Sequence, residues 1–157
     1  MSTDYLFDRP LADLDAHALK LLRMERKRQA EKIVLIASES ICPRPVREAT
    51  ATEFTNIYAE GYASTRLSTW EREDVHDTDR HLAFFRRYAD RRYYKGTEVC
   101  DFIEVLAQER GAEMYSRYND AGVRKADVFV NVQPLSGAAA VNAAYLACGI
   151  KPGDTIV

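Results

Sequence analysis

Apolar residues recur at helical spacing near the start of the chain, which predicts a helix from Pro10 to about Lys32. Asp8, with Pro10 just behind it, supplies a start signal for this helix. Pro43 and Pro45 are expected to end any regular element there, and a second helix is predicted from Val46 to about Phe54. The apolar positions of the first helix are Leu11, Leu14, Ala18, Leu21 and Leu22.

The middle of the chain alternates between a loop and two further helices. Asn56–Arg66 has no clean hydrophobic period and is interpreted as a loop, whereas Thr69–Arg92 has a helical pattern. Gly96 breaks that pattern, and Thr97 can cap the next helix. The apolar side predicted for that helix comprises Val99, Phe102, Ile103, Leu106, Arg110 and Met114.

The last segment has the pattern strand, helix, strand. Val128–Val132 is interpreted as a buried strand, and Gly137–Leu146 as an Ala-rich helix that Gly149 ends. A turn at KPGD leads into Thr155–Val157, the start of another strand. This order predicts an α/β fold with parallel strands. Two strands do not make a stable sheet, so we expect the chain to be an incomplete part of a larger domain.

Composition narrows the possible functions. The chain has 157 residues, 46% hydrophobic residues and a net charge of −2, which suits one packed domain and gives no overall electrostatic footprint for nucleic acid. It has no apolar run long enough to cross a membrane, and its start lacks the features of a signal peptide. Cys42, Cys100 and Cys148 are far apart, which predicts reduced cysteines in a cytoplasmic protein rather than disulfides or a metal site.

The turn at Ser136 and Gly137 is a candidate anion site. The first turn of a helix offers free backbone N–H groups and a partial positive charge, which favour a phosphate. Gly137 leaves the backbone accessible, and the Ser136 hydroxyl can add a donor. The alternative is an ordinary tight turn, because Ser and Gly are common turn residues.

The segment Tyr58-Ala59-Glu60-Gly61-Tyr62 is a second candidate. Glu60 can serve as a general acid or base, and tyrosine hydroxyls can bind a phosphate or a carboxylate. The alternative is a solvated loop glutamate between two half-buried tyrosines.

Arginines and aromatic residues cluster from Arg91 to Gly96, with Arg86 and Arg87 just before them. Such a patch can contact phosphates or stack on bases. The alternative is a helix whose acidic start and basic end match its own dipole. His76 and His81 lie five residues apart, which is not the spacing that places two metal ligands on one helix face.

Four motifs occur together and in order: LIASES, YAEGY, RRYYKGTE and NVQPLSG. In this the chain resembles the N-terminal portion of serine hydroxymethyltransferase (glycine hydroxymethyltransferase), from about Leu14 onward. The resemblance implies the pyridoxal-phosphate-dependent fold type I, the aspartate aminotransferase type. It implies reversible conversion of serine and tetrahydrofolate to glycine and 5,10-methylenetetrahydrofolate, in a cytoplasmic homodimer with shared active sites. On this basis the chain would hold a helical arm and interface segment (1–60), a tyrosine loop with an inserted helix (61–96) and the start of the cofactor-binding large domain (97–157).

The resemblance also implies residue roles. Glu60 would be the acid–base carboxylate and would lie near the folate together with Tyr93. Ser38 and Tyr94 would contact the amino-acid substrate. Pyridoxal 5'-phosphate would be bound through Tyr58, which reaches the partner subunit, and through Ser136, Gly137 and Ala138.

The sequence departs from the family's pattern in several places. SGAAAV replaces the usual SGSQAN, so Ala138 lacks a hydroxyl, and Leu135 replaces a histidine. An extra segment, about 64–90, separates YAEGY from RRYY, as in a bacterial subgroup. The T-H-K motif that carries the family's cofactor-binding lysine is missing, so the chain alone is expected to be inactive. Two alternatives remain: a non-catalytic dimerisation module, and a related pyridoxal-phosphate aldolase that acts on another hydroxy-amino acid.

Overall fold

The computed structural model describes residues 9–63, 77–79, 82–83, 92–117 and 120–156. The chain divides into two compact units, Met1–Ala51 and Thr52–Val157. The predicted boundaries after residues 60 and 96 remain predictions. Most of the predicted helix Thr69–Arg92 and of the inserted segment, about 64–90, lies outside the described residues. His76 and His81 lie outside them as well.

From residue 9 onward, the first unit contains the helices α1 (Leu11–Leu14), α2 (Ala16–Glu31) and α3 (Arg44–Thr50). The single helix predicted from Pro10 is interrupted at Asp15, whose backbone leaves the helical region at φ −149° and ψ 88°. The carboxylate of Asp15 accepts a hydrogen bond from the Ala18 N–H at 2.9 Å and thereby caps α2. This cap explains why a new helix begins one residue later.

Prolines begin α3 rather than end regular structure at this point. Pro43 is its N-cap, and Pro45 lies in the first turn, where the absent N–H of proline costs nothing. Helix α3 ends at Thr50, before the predicted end at about Phe54, and a 3-10 turn, η1 (Glu53–Asn56), follows.

The apolar side chains of α1 and α2 are not buried within the first unit. None of its described residues is buried, and Leu21, Leu22 and Met24 are each more than half exposed.

The second unit is built around α4 (Glu98–Arg117). The buried residues of α4 are Cys100, Asp101, Phe102, Val105 and Ala112. The predicted apolar side is therefore wrong in part, since Val99, Ile103 and Met114 are exposed. The buried face instead centres on Asp101, because a buried arginine pairs with that carboxylate.

The chain that follows α4 folds back against it. The short 3-10 turn η2 (Lys125–Asp127) is tied to the helix by an ion pair of 2.8 Å between Lys125 Nζ and Glu109 Oε1. A Cβ on Gly111 would lie 3.1 Å from Val130 Cγ1, so the glycine permits close contact here. This contact holds the segment that leads to Gln133 along α4.

No paired strand occurs among the described residues, and 128–134 is neither helical nor paired. A strand needs a neighbour for its backbone hydrogen bonds, so the strand predicted at Val128–Val132 remains a prediction.

Helix α5 (Gly137–Ala147) lies where the sequence predicts a helix. Ser136 is its N-cap, and the side-chain oxygen accepts from the Ala139 N–H at 3.2 Å. At the other end Gly149, at φ +71°, donates to the Leu146 carbonyl while the Ile150 N–H reaches the Tyr145 carbonyl. These two bonds form a Schellman motif, the helix ending that Gly149 predicts.

In the part of the chain that the structure describes, no helix is long and apolar enough to cross a membrane. The three cysteines are free thiols, and burial raises the pKa of the Cys100 thiol.

Candidate functional site

The guanidinium of Arg92 is the centre of a buried polar network in the second unit. Its side chain is only 2% exposed and pairs with Asp101 (Nε to Oδ1, 2.5 Å) and Glu104 (Nη2 to Oε2, 2.5 Å). Burial lowers the pKa of Arg92, but the hydrogen bonds to Glu104 and Asp101 outweigh burial and raise its pKa above the ordinary value. Arg92 is therefore a permanent buried cation held by carboxylates of α4.

The remaining donors of Arg92 hold the tyrosine loop, defined here as Tyr58–Tyr62. Nη1 donates to the carbonyls of Ala59 at 2.9 Å and Gly61 at 2.7 Å. The next backbone N–H along the chain, that of Tyr93, donates to the Glu60 carbonyl at 3.2 Å. Three consecutive carbonyls of the loop are thus bound by Arg92 and Tyr93.

Gln133, which lies in the segment between η2 and α5, joins the same network. Its Nε2 donates to the Gly61 carbonyl at 2.9 Å and to both oxygens of Glu104 at 2.9 and 3.1 Å. The Gln133 amide therefore bridges the tyrosine loop and α4.

The clamp is the set of bonds that Arg92, Tyr93 and Gln133 make to the carbonyls of residues 59–61. Four of the residues that the resemblance marks as functional lie at this clamp. The rings of Tyr58 and Tyr94 meet edge to face, with centroids 5.3 Å apart and an interplanar angle of 88°. Glu60 and Tyr93 are joined through the backbone bond described above. The side chains of all four residues are exposed, so this corner presents a carboxylate and three phenols to solvent.

The clamp removes one residue, Arg92, from the basic patch suggested by the sequence. Arg92 is buried among carboxylates and carbonyls and does not belong to an exposed basic patch. The other arginines of that cluster, Arg86, Arg87 and Arg91, lie outside the described residues.

The turn before α5 has the geometry of an anion cradle. Because Ser136 caps the Ala139 N–H, the N–H groups of Gly137 and Ala138 remain as the first-turn donors. A Cβ built on Gly137 would have no neighbour within 4 Å, so the space beside this turn is open. Backbone donors, one hydroxyl and the helix dipole together suit a phosphate ester.

Ser38, the other predicted substrate residue, lies in a turn of the first unit and is exposed. The Glu39 N–H donates to the Ile36 carbonyl at 3.0 Å and closes that turn. Among the described residues, no group of three or more histidine, cysteine or acidic side chains could hold a metal ion.

The sequence as a whole matches one family. A family model described as serine hydroxymethyltransferase matches residues 11–157. The chain belongs to the serine hydroxymethyltransferase family. The resemblance carried by the four motifs is thereby confirmed.

Individual relatives agree with this family assignment. The serine hydroxymethyltransferase of Coprothermobacter proteolyticus is 38% identical over 143 residues, which cover 91% of this chain and 26% of that protein. That of Zymomonas mobilis is 37% identical over 155 residues, or 99% of this chain and 28% of that protein. That of Kocuria rhizophila is 34% identical over the same fractions of both chains. This chain therefore spans little more than a quarter of the length of these curated relatives, and no solved structure matches it.

Sequence reasoning did not find the residues that build the clamp. Gln133 lies within NVQPLSG and receives no role from the sequence, and Arg92 lies within RRYYKGTE, where the sequence suggests a basic cluster instead. Asp101 and Glu104 are ordinary acidic positions in an amphipathic pattern, and only the fold brings them to Arg92.

Proposed function

We propose that the chain is the N-terminal part of a serine hydroxymethyltransferase that interconverts serine and tetrahydrofolate with glycine and 5,10-methylenetetrahydrofolate, using pyridoxal 5'-phosphate. The observation that carries the proposal is the corner at which Tyr58 and Glu60 lie beside Tyr93 and Tyr94. Glu60 is an exposed carboxylate on the same loop as Tyr58, and a carboxylate that a substrate hydroxyl can reach suits proton transfer to and from that hydroxyl.

Glu60 accepts the hydroxyl proton of serine as the Cα–Cβ bond breaks, and returns it in the reverse direction. Tyr93 lines the folate position and Tyr94 the amino-acid position, and Ser38 binds the substrate carboxylate. Tyr58 reaches the cofactor phosphate of the partner subunit. The exposure of all these side chains supports such roles, because each is accessible to a ligand.

The residues around the start of α5 fit the phosphate of the cofactor. Ser136 and the N–H groups of Gly137 and Ala138 would hold it, and the open space beside Gly137 admits an anion to the backbone. Pyridoxal phosphate, when bound, supplies an electron sink for bond breaking at the substrate α-carbon. The chain's own contribution is to bind the phosphate and to hold a proton at the Glu60 carboxylate.

The complete enzyme is proposed to be a cytoplasmic homodimer with active sites shared between subunits. The exposed apolar side chains of α1 and α2 support this assignment, since an interface would cover them.

One observation favours a second candidate, a non-catalytic module that docks on a complete subunit. The apolar side chains of α1 and α2 are exposed, so this arm has a surface with which to dock on another subunit. Reading the nucleotide sequence beyond Val157 separates the two candidates. An in-frame continuation to a T-H-K motif supports the enzyme, and a stop codon supports the module. A third candidate, an aldolase for another hydroxy-amino acid, is motivated by SGAAAV and is tested by comparing substrates.

Replacement of Glu60 in the full-length enzyme tests the proposed reaction. Glu60→Gln keeps the shape of the side chain but removes its acid–base function, so folate-dependent turnover should fall about a hundredfold or more. Binding of pyridoxal phosphate, followed by absorbance, should not change. Glu53→Gln, at an exposed glutamate of η1, is the matched control and should keep normal turnover. Normal turnover in Glu60→Gln, or loss of the cofactor, contradicts the role assigned to Glu60.

A further inference from the structure

We propose that Arg92 and Gln133 are positioning residues for Glu60: they clamp the carbonyls on either side of it and so fix where its carboxylate stands. The proposal rests on the proposed function only in taking Glu60 as the acid–base group. The clamp itself is a feature of the described residues.

Arg92 is suited to this task by its shape as well as by its charge. A guanidinium has five N–H donors in a rigid plane, whereas the ammonium of lysine is a compact point charge. Arg92 turns Nη1 toward the carbonyls of residues 59 and 61, while Nε and Nη2 are held by carboxylates of α4. One side chain thereby ties the tyrosine loop to α4.

Gln133 supplies a second anchor. The Gly61 carbonyl and the Glu104 carboxylate are both acceptors, so only the NH₂ end of the Gln133 amide can face them. Its two hydrogens serve the carbonyl and the carboxylate, respectively. The contact between Gly111 and Val130 holds the segment that brings Gln133 to this point.

The carbonyl at which both anchors meet belongs to Gly61. Its φ of +112° lies in a region that favours glycine, and a Cβ there would be 3.4 Å from the Arg92 Cα. Glu60 lies between the clamped carbonyls of Ala59 and Gly61, and its own carbonyl is bound by the Tyr93 N–H. The exposed Glu60 side chain therefore takes its position from a backbone that is fixed at three consecutive residues.

Gln133→Met in the full-length enzyme tests the clamp, with Gln108→Met as the matched control. Gln108 also donates to Glu104, at 3.3 Å, but makes its bond from within α4 and does not hold the loop. Loss of one positioning bond should lower folate-dependent turnover about five- to tenfold in Gln133→Met, with the KM for serine unchanged. Gln108→Met should stay within about twofold of wild type. Equal effects of the two substitutions would overturn the proposal.

A double-mutant cycle separates positioning from general stability. If Gln133 acts through Glu60, the loss caused by Gln133→Met should disappear in a Glu60→Gln background. A loss of the same size in both backgrounds overturns the proposal. Arg92→Lys should reproduce the drop in turnover more strongly, because lysine keeps the charge but cannot span both carbonyls.

Amide hydrogen exchange tests the clamp without depending on whether the proposed reaction is correct. The Tyr93 amide should exchange faster in Gln133→Met than in wild type and in Gln108→Met, since it donates to the clamped loop. Faster exchange supports the clamp even if Glu60→Gln has full activity, which is how failure of the proposed function would appear. Unchanged exchange of the Tyr93 amide overturns the clamp whatever the activity.

Discussion

Gly61 is the residue at which backbone conformation and the clamp depend on each other most directly. At φ +112° a side chain is strained, whereas a Cβ would meet the Arg92 Cα at 3.4 Å, an ordinary van der Waals distance. The residue therefore serves the shape of the tyrosine loop, and its carbonyl accepts a hydrogen bond from the buried arginine.

Gly61→Ala should lower the free energy of unfolding of the full-length protein by about 1–3 kcal/mol, the usual cost of such strain. Its folate-dependent turnover should fall as well, because the loop that carries Glu60 is displaced. Gly122→Ala is the control: its φ is +70°, and no atom lies within 4 Å of the position that its new methyl group would take. It should show the strain in thermal unfolding but keep turnover per folded molecule. Equal turnover in both variants contradicts the role given to Gly61.

The residues of the exposed corner were recognisable from sequence, and those of the clamp were not. Tyr58 and Glu60 were marked by motif resemblance, since no periodicity distinguishes them from a solvated loop. The sequence places Arg92 in a basic cluster, because charge and neighbours in sequence do not reveal burial. Its burial depends on Asp101 and Glu104, which only the fold brings to it.

At the scale of elements, local signals predicted the helices well where caps are strong. Ser136 and Gly149 mark the two ends of α5, and both ends lie within one residue of the predicted ones. The arm was predicted as one helix because its apolar spacing continues through Asp15, although that carboxylate begins a new helix. The predicted apolar side of α4 is right for Phe102 and wrong for Val99, Ile103 and Met114, because hydrophobic spacing does not reveal a buried ion pair.

The start of α5 yields a prediction about cofactor affinity. Ala138→Ser restores the hydroxyl that the family's usual pattern has at this position and adds a donor to the proposed phosphate. In the full-length enzyme it should tighten pyridoxal phosphate binding about tenfold, the worth of one hydrogen bond to a charged group. Ala143→Ser places the same change further along the helix and should leave the Kd unaltered. The Kd of each apoenzyme, measured by equilibrium dialysis, checks this, and equal Kd values for both variants contradict it.

At the scale of the whole molecule, the match to the family covers nearly all of this chain but only part of each relative. The chain spans 26–28% of the relatives' length, so the remaining parts of a complete active site would come from elsewhere in a full-length protein. The predicted parallel sheet is the feature that these residues could not establish, because a strand is stabilised by neighbours distant in sequence.

Glycine formation from serine, with and without tetrahydrofolate, tests the central claim most directly. It is measured on the full-length protein and on the purified 157-residue chain, both freed of host enzyme and supplied with pyridoxal phosphate. The account predicts folate-stimulated glycine formation by the full-length protein and none by the 157-residue chain. A full-length protein that forms no glycine, or whose rate is indifferent to folate, would contradict the account, as would turnover by the 157-residue chain alone.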